Sequence, residues 1–306
     1  MLIKSNNVNA FMNIEEIKAL FDCPENRVYH PEGNTGEHVV NALNWLKRNC
    51  PAELYDQCFL AVLLHDIGKP KTDPDKFPKH PKHDKIGANE ILWNVNLRTE
   101  ISNVIGKDID WIFIKNVCLY HMSFWHFKDR NMKTQSFLKI FEDVGEKDFE
   151  SFLWSVFADN CSNDDPNDKS YMLLFNRIKR LHKDVLETCD QIKPNLNYKN
   201  WENIYWENKI RACRPIVTDF IKEAQMLVFD DIAESFRNML KDKYNAMDCT
   251  VSINKENTIL AFTVNKLNFL IDKDVLFKCN GRVMSEDLFD FTFNEDLNIW
   301  FVNKKC

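Results

Sequence analysis

Four stretches of this chain place a histidine or an aspartate in the middle of an otherwise apolar helical face. A fold must bring those faces together around something that neutralises charge. His38 shares its face with Ala42 and Trp45, and Asp66, next to His65, follows a helix whose last turns read Leu60-Ala-Val-Leu-Leu64. His121 lines up with Ile114, Val117 and Cys118, and Asp159 with Phe152 and Val156, the neighbours of a 3.6-residue period. A carboxylate buried without a partner is costly, so charge held inside a protein is paired or bound to metal. No Arg or Lys is written onto these faces, and a metal ion between facing helices satisfies imidazoles and carboxylates together. Taken singly, an inward His reads as a hydrogen-bonded core residue and Asp159 as a helix-packing or capping group, whereas His65 and Asp66, neighbours at a helix end, can both turn to one ion. As a set they point to a metal-centred helical bundle.

Helical periodicity extends over most of the chain. Helices are expected at Asn13 to Phe21, Thr35 to Lys47, Ala52 to Asp66, His83 to Trp93 and Ile109 to Met122, then at Thr134 to Phe141, Asp148 to Asn160, Tyr171 to Thr188 and Ile204 to Tyr244. The third is apolar nearly all round and therefore buried, and Gly68 is placed to cap its carboxyl end ahead of Pro70. Asp73 to Lys82 reads as a polar, Pro-broken loop. Only 7 of 306 residues are Gly, against about 7% in average proteins, which suits helices and disfavours Gly-rich phosphate loops. A Pro/Asn-rich stretch, Lys193 to Asn200, marks the expected boundary between a domain at 13–192 and another at 200–306.

From Met247 the pattern becomes β-prone. Runs at Cys249 to Ile253, Thr258 to Val264, Leu267 to Ile271, Phe291 to Phe293 and Ile299 to Val302 are joined by turn-like Asn254 to Asn257 and Asn294 to Leu297. The expected fold is mainly α: a helical domain followed by a small α+β domain with an antiparallel sheet. The longest apolar run, Cys58 to Leu64, is too short to cross a bilayer, and Met1 to Asn13 lacks the apolar core of a signal peptide. A cytoplasmic protein with no membrane partner is expected. Its ten cysteines form no Cys-x-x-Cys pair, so free thiols are the better reading, and the zinc-like spacing of Cys118 and His121 has no second pair to complete it. A net charge of −6 argues against a clamp along nucleic acid and for a pocket that takes one strand end.

Seven of the eight histidines fall between His30 and His126, and here the motifs become specific. Tyr29-His-Pro-Glu-Gly-Asn-Thr-Gly-Glu-His38, Leu63-Leu-His-Asp-Ile-Gly-Lys-Pro70, His80-Pro-Lys-His83-Asp84, Tyr120-His121-Met122 and Ala158-Asp159 resemble the HD superfamily of metal-dependent phosphohydrolases. The likeness is strongest to the HD domain of bacterial CCA-adding tRNA nucleotidyltransferases and covers about Val28 to Cys161. Nothing comparable covers the last third of the chain. The resemblance implies at least five helices around a centre with His38, His65, Asp66 and Asp159 as ligands. In dinuclear branches two more histidines join, here His83 and His121, with Asp66 bridging. Gly87, one turn after His83, is small enough to let that helix approach. His80 is a rival to His83, three residues away.

The implied cofactor is one or two divalent transition ions (Mn, Fe, Co or Ni, with Mg possible), since mixed His/carboxylate ligands without thiolate suit these metals. The implied activity is hydrolysis of phosphate monoesters or 2′,3′-cyclic phosphates of nucleotides or RNA ends by metal-activated water. Asp66, Lys69 and His30 are the candidate catalytic residues, with Lys69 as a cation at the rim and His30 as a proton donor. Lys69, His80, Lys82, Lys128 and Arg130 are candidate substrate-binding residues. Alternatives are an HD nucleotidase or phosphodiesterase acting on mononucleotides or dinucleotide signals, and a non-catalytic nucleotide-binding module. With 27 residues ahead of Val28, a polymerase domain is not expected in this chain, and no P-loop is present. The last third is expected to shape specificity or form a homo-oligomer.

Overall fold

In the computed structural model, Asn34 closes the amino end of a long helix, Thr35–Asn49, by accepting from the Glu37 backbone N–H at 2.9 Å. Such a cap contributes about 1 kcal/mol. Residues 8–27, 30–127, 132–163, 171–197, 199–254, 259–272, 275, 286–295 and 297–305 are described, with all their side chains except those of 225–232 and 304. Among them are ten α-helices: α1 (Glu15–Phe21), α2 (Thr35–Asn49), α3 (Ala52–Leu64), α4 (His83–Trp93), α5 (Val95–Ile105), α6 (Trp111–Phe124), α7 (Thr134–Val144), α8 (Phe149–Asn160), α9 (Tyr171–Asp190) and α10 (Trp201–Lys243). The chain divides into two compact units, Met1–Lys222 and Glu223–Cys306. The Pro/Asn-rich stretch separates α9 from α10.

In the first unit α3 is the central element and packs against α2, α6 and α8. Its residues Cys58 to Leu64 are all buried, because a helix without a polar face must be covered on every side. Helix α5 is not among the helices expected from the sequence. Its inward face consists of Leu97 and Ile101, a stripe too thin to stand out. Two punctuation signals were there, however: Asn94 accepts from the Leu97 N–H at 3.0 Å, and Gly106 follows with φ 69°.

Gly68 serves a different purpose from the one expected. It has right-handed φ/ψ (−82°, −18°) and therefore does not form a left-handed cap. A Cβ here would meet the His83 carbonyl oxygen at 2.1 Å and the Gly87 nitrogen at 2.5 Å, and one on Gly87 would meet Cys118 Sγ at 2.6 Å. The pair lets α4 lie against the turn after α3 and against α6.

In the second unit the described strands are β1 (Thr250–Ile253), β2 (Ile259–Val264), β3 (Leu267–Asp272), β4 (Phe289–Asn294) and β5 (Ile299–Lys304), in sheet order β1-β2-β3-β5-β4. The expected small α+β region is present, and its sheet is mixed: β3 and β5 pair in parallel, the other neighbours antiparallel. β4 and β5 form a hairpin that returns beside β3, which the alternation of single strands could not reveal. The turn expected at Asn254 to Asn257 lies, beyond its first residue, outside the described residues. Phe236 and Leu240 at the end of α10 pack with Phe262, Phe269 and Val302.

On α9, His182 sits among Phe175, Ile178, Leu181 and Val185. It stacks on Phe149 with centroids 3.7 Å apart, and its Nε2 has no hydrogen-bond partner among the described residues. Burial depresses its pKa from 6.5 to about 4. A group with a depressed folded pKa leaves the unfolded chain holding more protons between the two values. Stability is therefore lost as pH falls from about 6.5 to about 4, by about 2–3 kcal/mol for this group. His182→Leu is expected to shrink the loss of stability between pH 7 and pH 4 by that amount in denaturant titrations. Equal losses in the two proteins would refute it.

Candidate metal centre

Asn34 starts α2 four residues before His38, which sets that imidazole one turn into the helix on its buried side. His65 is the residue after α3, Asp66 lies in the following turn, His83 begins α4, His121 lies in the last turn of α6, and Asp159 in the last turn of α8. Helix ends and a turn from five elements thus converge.

Three of these imidazoles are oriented in the same way. Nδ1–H of His65 donates to the Val62 carbonyl at 2.7 Å, that of His83 to His80 at 2.8 Å, and that of His121 to Cys118 at 2.7 Å. A carbonyl can only accept, so each Nδ1 carries the hydrogen and each neutral ring presents a lone pair at Nε2.

The free atoms form two groups, within each of which the ligand atoms lie within 4.8 Å of one another: His38, His65 and Asp159, and Asp66, His83 and His121. In the first, Asp159 Oδ1 is 2.8 Å from His38 Nε2 and 3.4 Å from His65 Nε2. In the second, Asp66 Oδ1 is 3.3 Å from His83 Nε2 and 3.5 Å from His121 Nε2, and those two nitrogens are 3.2 Å apart. Asp66 Oδ2, 3.1 Å from His65 Nε2, joins the groups. A third cluster, His30, Glu32 and His38, shares His38 with the first.

These donors suit a cation. His65 Nε2 and Asp66 Oδ1 are buried and make no hydrogen bond among the described residues, although such atoms are almost always satisfied in folded proteins. Lone pairs on His83 and His121 face one another across a carboxylate oxygen, an arrangement that repels itself unless a proton or a metal ion lies between them. Nitrogen and oxygen donors without thiolate match a borderline or hard divalent ion. Without an ion, protons take the place of the positive charge: although burial opposes it, Asp66 and Asp159 push His65 well above its ordinary value, and Asp159 and Glu32 likewise raise His38. Burial opposes ionisation of Asp66 and Asp159, yet His65 holds both carboxyls well below their usual range, with Lys69 aiding at Asp66 and His38 at Asp159. Burial depresses His83, which favours its ligating, neutral form.

Lys69 departs from expectation. Its side chain is 7% exposed, and its ammonium donates to Asp66 Oδ2 at 2.8 Å and to Glu25 Oε1 at 2.6 Å. It is a buried counter-ion and not a cation at the rim. The absence of Lys or Arg from the apolar faces is made good by this residue, one turn beyond Asp66. Glu25, which also accepts from Thr35 Oγ1 at 2.9 Å, and Glu32, which accepts from His38 Nδ1 at 2.9 Å, were not anticipated. Glu32 sits within the His-Pro-Glu-Gly motif, so its signal was visible there.

His80 does not join the cluster. Its Nε2 donates to the Pro24 carbonyl at 2.9 Å and its Nδ1 is 3.0 Å from Thr72 Oγ1, so both nitrogens are engaged with loop groups. His83 takes the place for which the two competed. Lys82 is exposed, with φ 64°, immediately before α4. His30 is 26% exposed at the side chain, with Nδ1 3.2 Å from Glu32 Oε1 and its ring edge-on to His38. Lys128 and Arg130 lie outside the described residues. No helix among the described residues is long and apolar enough to cross a membrane.

The chain is similar to proteins named multifunctional CCA protein. It is 28% identical over 183 residues to that of Hahella chejuensis, covering 58% of this chain and 40% of that protein. Identity is 42% over 78 residues to that of Alkalilimnicola ehrlichii, covering 24% and 17%. For a Neisseria meningitidis serogroup C protein it is 32% over 127 residues, covering 42% and 28%. The chain thus spans less than half the length of these relatives. No family model and no solved structure matches it.

Proposed function

We propose that this chain is an HD-type metal-dependent phosphohydrolase acting on phosphate monoesters or 2′,3′-cyclic phosphates of nucleotides or RNA ends. The observation that carries the proposal is the pair of ligand groups that meet where Asp66 Oδ2 of one lies 3.1 Å from His65 Nε2 of the other, with His65 Nε2 and Asp66 Oδ1 buried and without a hydrogen bond among the described residues. His38, His65, Asp66 and Asp159 would hold one ion, and His83 and His121 would join Asp66 to seat a second, with Mn, Fe, Co or Ni as candidates and Mg in a one-ion version. A divalent ion bound there lowers the pKa of water and neutralises a phosphoryl oxygen.

The chain's own residues supply the rest. Asp66 would fix the two groups relative to each other, and Lys69, itself held by Glu25, helps keep it ionised and in place. His30, partly exposed beside His38, is the proposed proton donor to the leaving oxygen, and Lys82 a proposed phosphate contact. The catalytic domain would occupy 13–192, with 200–306 an accessory domain. RNA ends are favoured over free mononucleotides because the relatives carry the CCA name and the resemblance runs to the HD domain of tRNA-end enzymes. The net charge of −6 limits contact to a few phosphates.

Metal-loaded protein assayed on RNA with defined ends, on 2′,3′-cyclic nucleotides and on 5′-mononucleotides tests this. Hydrolysis of 2′-phosphate or cyclic ends should exceed that of 5′-mononucleotides by about tenfold or more, which requires about 1.4 kcal/mol of discrimination. The salt dependence should be shallow. A preference for free 5′-nucleotides, with no effect of attached RNA, would move the assignment to a nucleotidase.

A further inference from the structure

Three of the four ring-nitrogen ligands proposed for the centre take their orientation from a backbone carbonyl three residues earlier, in the chain's own helical or turn geometry. His38 is the exception. Its Nδ1–H donates to Oε1 of Glu32 at 2.9 Å, while its Nε2 points at Asp159 Oδ1, 2.8 Å away. Glu32 stands in the turn before α2, and its side chain is only 6% exposed. The same Oε1 is 3.2 Å from His30 Nδ1, and Oε2 accepts from Asn163 Nδ2 at 3.2 Å. Asn163 follows α8, the helix that carries Asp159. One carboxylate therefore ties together His38, His30 and the segment beyond Asp159.

We propose that Glu32 is a positioning residue of the metal centre: it fixes His38 with the hydrogen on Nδ1 and so presents Nε2 as the ligating atom toward Asp159 and His65. This rests on the metal reading of those residues. A carboxylate partner raises the basicity of a ligating imidazole and holds its plane, and removing such a partner weakens metal binding by about 10–100-fold. Because the other three rings are oriented by main chain, His38 is the ligand whose orientation a distant side-chain substitution can release.

The test uses the full chain, stripped of metal and titrated with Mn²⁺, with free Mn²⁺ read by electron paramagnetic resonance. Glu32→Met keeps the volume and removes the acceptor. It should weaken binding by about 10–100-fold while leaving the melting temperature of the metal-free protein within a few degrees. Glu32→Gln, whose amide oxygen still accepts from Nδ1–H, should recover part of the loss, a rescue that a role in packing alone would not show. If Glu32→Met does not fold, Glu32→Gln decides alone: binding weaker than wild type supports the role, and wild-type binding overturns it. With both variants folded, wild-type affinity in Glu32→Met, or no rescue by Glu32→Gln, overturns it. Failure of the wild type to take up Mn²⁺ would instead refute the metal reading on which the role depends.

Discussion

Asp66→Asn should remove the bound metal and lower phosphate-ester hydrolysis by about a thousandfold or more while the protein remains folded. The aspartate faces both ligand groups at once, with Oδ1 toward His83 and His121 and Oδ2 toward His65 and Lys69. Asparagine is nearly isosteric but replaces one oxygen with an NH₂ donor. Turned toward the two Nε2 lone pairs, that amide donates a hydrogen bond where a cation would sit, and its oxygen still accepts from Lys69. The metal-free fold keeps a satisfied interior, so the loss is confined to the ion. Withdrawing an ion that stabilises transition-state charge by about 4 kcal/mol corresponds to the thousandfold drop. Elemental analysis, turnover and a thermal melt on the same preparation check it. A variant with wild-type metal content and rate would remove Asp66 from the centre, and with it the proposed chemistry.

Much of this arrangement could be read from residues because the helices are long and their periodicity strong. His38, His121 and Asp159 sit on apolar faces whose spacing already sends them inward, and the structure brings all three to one place. What could not be read depends on contacts distant in sequence. Glu25 reaches Lys69 across 44 positions, and Glu32 finds Asn163 across 131. No local pattern announces either pair. Gly68 misled for another reason: a glycine after a helix usually supplies a left-handed cap, whereas here it makes room for the backbone of α4. The choice between His80 and His83 could be settled only by the course of the loop between α3 and α4, which turns the first against Pro24 and Thr72 and the second toward Asp66. Helix α5 escaped notice because two buried residues are too few to define a period.

Lys69 shows how burial changes the meaning of a residue, and its replacement should have the second large effect. As a rim cation it would touch phosphate, and Lys69→Met would raise KM in a stable protein. The structure places it inside, between Asp66 Oδ2 and Glu25 Oε1. Although burial opposes its charge, Asp66 and Glu25 together push its pKa up from the ordinary value, so the ammonium persists at any physiological pH. Methionine fills the volume but leaves two buried carboxylates without their shared cation, and breaking such a network costs about 3–5 kcal/mol. The metal-free Lys69→Met protein should therefore unfold at a much lower denaturant concentration than wild type. Metal should recover part of the difference, because an ion at Asp66 neutralises one carboxylate and binds only the folded chain, while Glu25 remains uncompensated. Denaturation curves with and without Mn²⁺ measure both effects. Wild-type stability in the variant together with a raised KM would return Lys69 to the substrate and show that Asp66 does not need it.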